Sequence, residues 1–381
     1  MKKELIIFLL FMVLFSVLLV SLFNNNHRIK NKKYYVFDAD MRTTYNNSQS
    51  LPGAISKSLE TLNIKRANQY TDANIIFTNK LDDMDKLSKL PFNKMCDWIY
   101  GLRSVNMICS KSVFALIVRN NNNINYNDII PKTYILSNHK DYNKLIQNEF
   151  DHKTGKPLRP LLLKKNIQRQ NGLTFVENVS DVTNEKTLNQ NVVCQVLLLN
   201  PYLVDSRKIN MRIYLLVICD KRTRKTYAYI YNDGFMYYTT EYFSKDKINH
   251  DTQITTGYID RKVYETNPLT VTDFMNQKLN LKERQLFKKN LHRLFQNVMQ
   301  SYEPLLNLNE YDNGPGHFII LGCDIAPDED LNIKILEINK GPDLSYKDKR
   351  DGELKFNMVK NALNAIHTEN YNNINNYTQV L

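Results

Sequence analysis

Two rhythms of apolar and polar positions organise the chain. Residues 318–326 (FIILGCDIA) are a continuous apolar run broken by one acid, Asp324. Residues 327–330 (Pro-Asp-Glu-Asp) carry turn chemistry, and residues 333–339 return as a second run. Side chains alternate along a strand, so this stretch predicts a hairpin with Glu337 and Asn339 on one face. In an antiparallel ladder Asp324 faces the same side. The other rhythm steps by three and four. Phe287, Leu291, Leu294, Phe295, Val298 and Tyr302 predict an amphipathic helix over 282–302, closed by Pro304. Leu354, Met358, Ala362 and Ile366 predict a last helix over 354–366, followed by an Asn- and Tyr-rich tail that reads as disordered. Ahead of these, a strand at YYVFDAD from Tyr34, a helix over 51–62 and a strand over 73–78 give the α/β pattern of a small parallel sheet. A helix over 111–117 and strands over 130–136 and 161–165 follow. Residues 192–217 read as a strand, a turn at Asn200-Pro201, a basic loop and a second strand.

Residues 5–23 (LIIFLLFMVLFSVLLVSLF) contain no charge. At ~1.5 Å per residue such a run can just span a hydrocarbon core of ~30 Å. It is long for a signal peptide and no A-x-A-like site follows, so it predicts an uncleaved anchor, with a cleaved signal peptide as the alternative. Residues 24–33 read as a polar tether. Arg28, Lys30, Lys32 and Lys33 after the run, against Lys2 and Lys3 before it, favour a cytosolic body and suit anionic headgroups.

Composition sets broad bounds. The chain has 381 residues, 43% hydrophobic and 24% charged, enough for two or three packed domains. Its formal net charge of +12 favours an anionic partner, and equally serves solubility. No interleaved aromatic–basic motif points to nucleic acid. Five cysteines without a CxxC pair do not form a disulfide framework; Cys194, Cys219 and Cys323 sit in apolar runs as small core residues. The seven histidines have no zinc spacing, and there is no Walker-A loop or GxGxxG.

The hairpin is where chemistry concentrates. Asp324, Glu337 and Asn339 offer two carboxylates and an amide oxygen on strands, a set that suits Mg²⁺ together with phosphate oxygens and water. The same spacing also occurs in surface hairpins whose acids face water. The flanking apolar runs argue against full exposure, because isolated buried carboxylates are costly.

The stretch LGCDIAPDEDLNIKILEINKGPDL resembles the C-terminal motif of the tubulin–tyrosine ligase-like family, an F-x-x-x-G-x-D strand followed by L-L-E-x-N-x-x-P. A second stretch, 192–217, is similar to the family's Q-K-Y-I-x-N-P-x-L-x-x-x-R-K-F-D-L-R-x-Y-x-L-V, with Gln195, Asn200, Pro201, Arg207, Lys208, Arg212, Tyr214 and Val217 in register. The order of an N-x motif, a lysine-bearing helix and P-x-T-Y-x-L ahead of it also resembles the family. The resemblance implies an ATP-grasp fold. It implies that Asp324, Glu337 and Asn339 bind the Mg²⁺ that accompanies ATP, that Gln195 lies in the hinge that meets adenine, and that Lys164, Lys208 and Arg212 contact the nucleotide. Lys208 and Arg212 are then the residues that act on the transferring phosphoryl group. Four departures stand out. Asn210 replaces the family's Asp in K-F-D-L-R, Asn232 replaces the arginine of Y-R-E-G, and Thr256 replaces the asparagine of H-L-T-N. The glycine-rich loop after Lys164 keeps only Gly172, with Arg169 nearby.

The sequence therefore predicts an α+β protein: an anchor and tether over 1–33, an N-terminal α/β region over 34–150, an ATP-grasp core over 151–366 and a disordered tail over 367–381. Its predicted activity is ATP-dependent ligation of an amino acid to a protein acceptor through an acyl phosphate. ATP and Mg²⁺ are the expected cofactors; a free amino acid, an acidic tubulin-like tail and, through the N-terminal helix, a membrane are the expected partners. The alternative is a catalytically impaired ATP-grasp pseudoenzyme serving as a membrane-tethered binding module.

Overall fold

The computed structural model describes residues 32–37, 51–78, 84–87, 96–165, 172–184, 188, 191–257, 259–309 and 314–381. Its strands are β1 (Lys33–Phe37), β2 (Lys65–Arg66), β3 (Ile75–Thr78), β4 (Trp98–Tyr100), β5 (Thr133–Ile135), β6 (Leu161–Lys164), β7 (Leu173–Phe175), β8 (Val193–Val196), β9 (Leu203–Val204), β10 (Arg207–Asp220), β11 (Lys225–Thr239), β12 (Thr255–Thr256), β13 (Gly316–Pro327), β14 (Ile333–Asn339) and β15 (Tyr377–Gln379). The helices used below are α1 (Gly53–Thr61), α2 (Val105–Cys109), α3 (Lys111–Asn120), α4 (His139–Glu149), α5 (Val271–Lys278), α6 (Leu281–Asn309) and α7 (Lys349–Thr368). The mixed α+β class is as expected.

The chain divides into two compact units. One comprises Met1–Gly101 and Asp343–Asn375. Its described strands β2, β1, β3 and β4 are all parallel, over a core that includes Ala73, Ile76, Cys96 and Ile99. Helix α7 packs against α1 in the same unit. Its predicted stripe of Leu354, Met358, Ala362 and Ile366 is buried, and Asp348 caps its first turn by accepting from the Asp351 amide.

The other unit comprises Leu102–Pro342 and Asn376–Leu381. It holds an antiparallel sheet in the order β12-β11-β10-β13-β14 and a four-stranded sheet in the order β5-β8-β6-β7. The core of the smaller sheet gathers Tyr134, Leu145, Phe150, Leu161, Leu163 and Cys194. Helix α6 packs on β11 and β14 through the predicted stripe, Phe287 to Tyr302, all of it buried. Asn280 and Glu283 cap its start reciprocally.

Several expectations change. Pro304 does not close α6: the helix runs to Asn309 with the proline inside it. Proline removes one helical hydrogen bond there, and Leu306, fully buried, anchors the turn beyond. The basic loop predicted before the second strand of 192–217 is not a loop. Arg207 and Lys208 open β10 directly after the tight turn at Asp205 and Ser206, both at positive φ. Where a disordered tail was predicted, β15 pairs with β11, Tyr377 opposite Tyr231 and Gln379 opposite Tyr229.

The expected single-pass membrane localisation is corrected. Among the described residues, no helix is long and apolar enough to cross a membrane. The longest, α6, has 29 residues and carries Lys282, Lys288, Lys289 and Arg293 on its exposed side, so it is a sheet-covering helix. The run 5–23, most of the 24–33 tether, and Arg169 in the loop after Lys164 lie outside the described residues.

Candidate functional site

The site grows from strand alternation on β10. Lys208, Asn210, Arg212 and Tyr214 share one face. Arg212 stands opposite Asp324 on β13, and Asp324 stands opposite Glu337 on β14. The next pair of β13 and β14 on that face is Gly322 with Asn339. A register shift between Asp324 and Ile325 takes up one extra residue of β14 without disturbing this row. The alternation read from the sequence thus places Asp324, Glu337 and Asn339 together.

The contacts within the row are short. Arg212 donates from Nε to Asp324 Oδ1 at 2.6 Å and from Nη2 to Oδ2 at 3.1 Å, a two-pronged grip. The Asn339 amide donates to Asp324 Oδ2 at 3.3 Å. Lys111 Nζ, at the first residue of α3, lies 3.2 Å from Glu337 Oε2. Burial lifts the Asp324 carboxyl above its ordinary range, with Arg212 offsetting part of the effect. Burial also acts on Glu337, but Lys111 and Lys164 outweigh it and hold that carboxyl below its usual range.

Two lysines complete the constellation. Lys164 ends β6 and Lys208 is the second residue of β10; they are 7% and 4% exposed. Burial lowers Lys164 to about 8. Burial, with repulsion from Lys164, lowers Lys208 to about 7. Among the described residues neither has a carboxylate within ion-pair distance; Lys164 senses Glu337 only at longer range. Gln195 on β8 is buried and donates to Thr133 Oγ1 at 2.8 Å. A small pocket is lined by Lys111, Thr133, Lys164, Gln195 and Glu337, with Phe114 on its apolar side. The structure therefore gathers Lys164, Gln195 and Glu337 at this pocket. Arg212, Asp324 and Asn339 join Glu337 through the sheet register, and Lys208 stands near Lys164.

Lys111 and Thr133 were missed as site residues. The lysine-bearing helix was the one signal for Lys111; its partner Glu337 is remote in the chain. Of the departures, Asn210 leaves its Oδ1 buried with no hydrogen-bond partner among the described residues. Asn232 is taken up structurally: its side-chain oxygen accepts from Thr378 Oγ1 at 2.6 Å and its backbone N–H donates to the Asn376 carbonyl at 2.9 Å. Thr256 on β12 pairs with Tyr238.

The donors present fit a hard divalent ion. Asp324, Glu337 and Asn339 offer oxygens from adjacent strands, and phosphate and water would complete the shell. Among the described residues no group of three His, Cys, Asp or Glu side chains gathers, so a site here needs the Asn339 amide as its third donor.

The model of the tubulin-tyrosine ligase family matches residues 93–374, well over half of the chain. The chain is 25% identical over 189 residues to "Probable tubulin polyglutamylase TTLL9" of Rattus norvegicus, covering 47% of this chain and 39% of that protein. It is 24% identical over 200 residues to "Tubulin polyglutamylase TTLL6" of Mus musculus, covering 48% and 24%. With "Tubulin polyglutamylase ttll6" of Danio rerio it shares 22% identity over 348 residues, covering 82% and 41%. The chain thus spans less than half the length of these relatives. From its matched residues, the chain belongs to the tubulin-tyrosine ligase family.

Proposed function

We propose that the protein is an ATP-dependent carboxylate–amine ligase that adds an amino acid to a protein acceptor. The observation that carries this reading is a pair of buried lysines, Lys164 and Lys208, with no carboxylate within ion-pair distance among the described residues, beside the row Arg212–Asp324–Glu337. A buried ammonium without a close counter-charge is costly, and the phosphates of a nucleotide would supply one. Lys164, Lys208 and Arg212 would receive its phosphates, with Gln195 in the wall of the adjoining pocket. Asp324, Glu337 and Asn339 would hold Mg²⁺, which neutralises charge on the phosphates when bound.

In the reaction proposed, an acceptor carboxylate oxygen attacks the γ-phosphorus and ADP leaves, giving an acyl phosphate. The amine of a free amino acid then attacks the acyl carbon, phosphate departs, and the amine loses its proton to solvent. The role of Lys208 and Arg212 is to position the phosphoryl group and balance its charge, and no side-chain nucleophile is needed. Relatives named as tubulin polyglutamylases, together with the net charge of +12, support an acidic tubulin-like tail as acceptor.

The test is thermal stability with and without Mg-ATP, beside Glu337→Gln. Ligand at about 100 times its Kd adds roughly 2.7 kcal/mol to the native state. A stabilisation that requires Mg²⁺ and vanishes in the variant supports the reading; no stabilisation at millimolar Mg-ATP sinks it. A second reading, a protein that binds nucleotide without ligating, rests on Asn210, whose buried Oδ1 has no partner among the described residues. Mg-ATP stabilisation without transfer of amino acid to any acidic acceptor would favour it.

A further inference from the structure

Arg212 is bracketed by glycines on both neighbouring strands. On β13, Gly322 stands opposite Tyr214, two residues from Asp324 and on the same face. A Cβ built on Gly322 would lie 3.1 Å from Cδ and 3.1 Å from Nη1 of Arg212, and 3.1 Å from Cβ of Pro342. Ordinary carbon contacts run at ~3.5–4.0 Å, so a methyl here displaces something. Pro342 is a rigid ring, which leaves the guanidinium as the group that moves. On β11, Gly234 stands opposite Ile213, just before the register of the two strands shifts. A Cβ there would meet the Arg212 carbonyl oxygen at 2.2 Å, an overlap that only a shift of backbone relieves.

The guanidinium's three nitrogens divide their work. Nε and Nη2 are committed to Asp324 at 2.6 and 3.1 Å. Nη1 is the end that lies beside Gly322, and it is the end free of the Asp324 grip. We infer that Gly322 is a positioning residue: the side chain it lacks is the space that Nη1 of Arg212 occupies, while Gly234 fixes the depth of the Arg212 backbone from the opposite strand. Together they let one arginine grip Asp324 with one edge and keep Nη1 for an oxygen of the incoming phosphoryl group. Neither glycine touches a ligand; both act through Arg212. The phosphoryl assignment rests on the function proposed above, but the notch itself is a property of the free protein.

The experiment is a double-mutant cycle on the full chain, joining Gly322→Ala with Arg212→Ala. Two readouts are taken: the side-chain Nε–H resonance of Arg212 without nucleotide, and Mg-ATP affinity by calorimetry. In Gly322→Ala the resonance shifts from its parent position as the grip on Asp324 is disturbed. Affinity falls by roughly 3- to 10-fold, because contacts of 3.1 Å oblige the guanidinium to give by a few tenths of an ångström. In the Arg212→Ala background, Gly322→Ala adds no further loss, because the group it displaces is gone. If Gly322→Ala fails to fold alone but folds once Arg212 is truncated, the notch is equally supported. An unmoved resonance, losses that multiply, or failure to fold in both backgrounds would overturn the inference, since Gly322 would then serve strand packing alone. Should the parent protein not bind Mg-ATP, the ligase reading falls, while the resonance and the folding of the variants still decide the notch.

Discussion

Two buried ionic groups in the same unit are treated in opposite ways. Glu149, at the end of α4, is fully buried and its carboxylate is surrounded by donors. Tyr134 Oη donates at 2.5 Å, Lys132 Nζ at 2.9 Å, and Arg159 at 2.6 Å from Nε and 2.8 Å from Nη2. Burial alone would raise this carboxyl, but the Arg159, Tyr134 and Lys132 hydrogen bonds more than offset it and hold it at about 2. Lys208 is almost as deeply buried and has no carboxylate partner among the described residues. Its neighbour on the strand face, Asn210, has a buried oxygen with no hydrogen-bond partner among the described residues. The first site is complete within the chain and fixes the small sheet. Under the proposed function the second is completed by an anionic ligand, and that asymmetry would separate a structural charge from a functional one more clearly than burial does.

The largest effect falls on the complete site. Glu149→Gln leaves Arg159 and Lys132 without their anion and should cost about 3–5 kcal/mol in urea unfolding. Nucleotide binding by the folded fraction should be unchanged. A cost below ~1 kcal/mol would show that the hub is dispensable. Its pH signature follows from the lowered pKa. The stability it contributes is fully present above the unfolded carboxyl value and is lost as pH falls toward about 2.

Lys208→Met should do the reverse. It removes a buried ammonium that has no close carboxylate among the described residues, so stability near pH 6 should rise by ~1–3 kcal/mol, while stabilisation by Mg-ATP disappears. Loss of stability instead would mean that Lys208 is already paired. The parent protein carries a second mark of the same group. Its folded value of about 7 lies below the value of an unfolded lysine. Between the two the unfolded chain holds the extra proton, so the Lys208 contribution to stability rises with pH from about 7 upward. Lys208→Met should flatten that slope. At pH 8 a bound polyphosphate restores the proton, so binding should take up roughly one proton. Calorimetry in buffers of different ionisation enthalpy measures this directly, and zero uptake would count against Lys208 as a phosphate contact.

Much of this arrangement was legible in the sequence because strand and helix periods report faces. Alternation along 318–326 and 333–339 placed Asp324, Glu337 and Asn339 on one side, and the row in the sheet follows it. The stripes of α6 and α7 were equally plain. Three things were not legible. Arg207 and Lys208 read as a loop because charge is usually solvated, whereas here Lys208 is buried on a strand. Lys111 meets Glu337 across a separation that no local pattern encodes. The tail looked disordered by composition, yet its backbone completes the edge of β11, a role that depends on hydrogen bonding more than on side-chain type.

The smallest expected effect tests the comparison at a single atom. Asn210→Ala removes the buried oxygen together with the amide. If Oδ1 is unpaired in the free protein, its removal relieves a desolvation penalty, and stability should stay level or rise by up to ~1 kcal/mol. The same change in the Glu149 hub, where every acceptor is engaged, can only destabilise. Mg-ATP affinity decides whether Asn210 belongs to the incomplete site. A loss of more than about threefold, with unchanged or increased stability, means that the amide finds its partner on the ligand, since ~0.7 kcal/mol is then gained only in the complex. Unchanged affinity would confine the incomplete site to the lysines and leave Asn210 as an uncompensated replacement on the sheet. A fall in stability on truncation would show that the oxygen is satisfied within the chain after all, and the contrast with Glu149 would then rest on Lys208 alone.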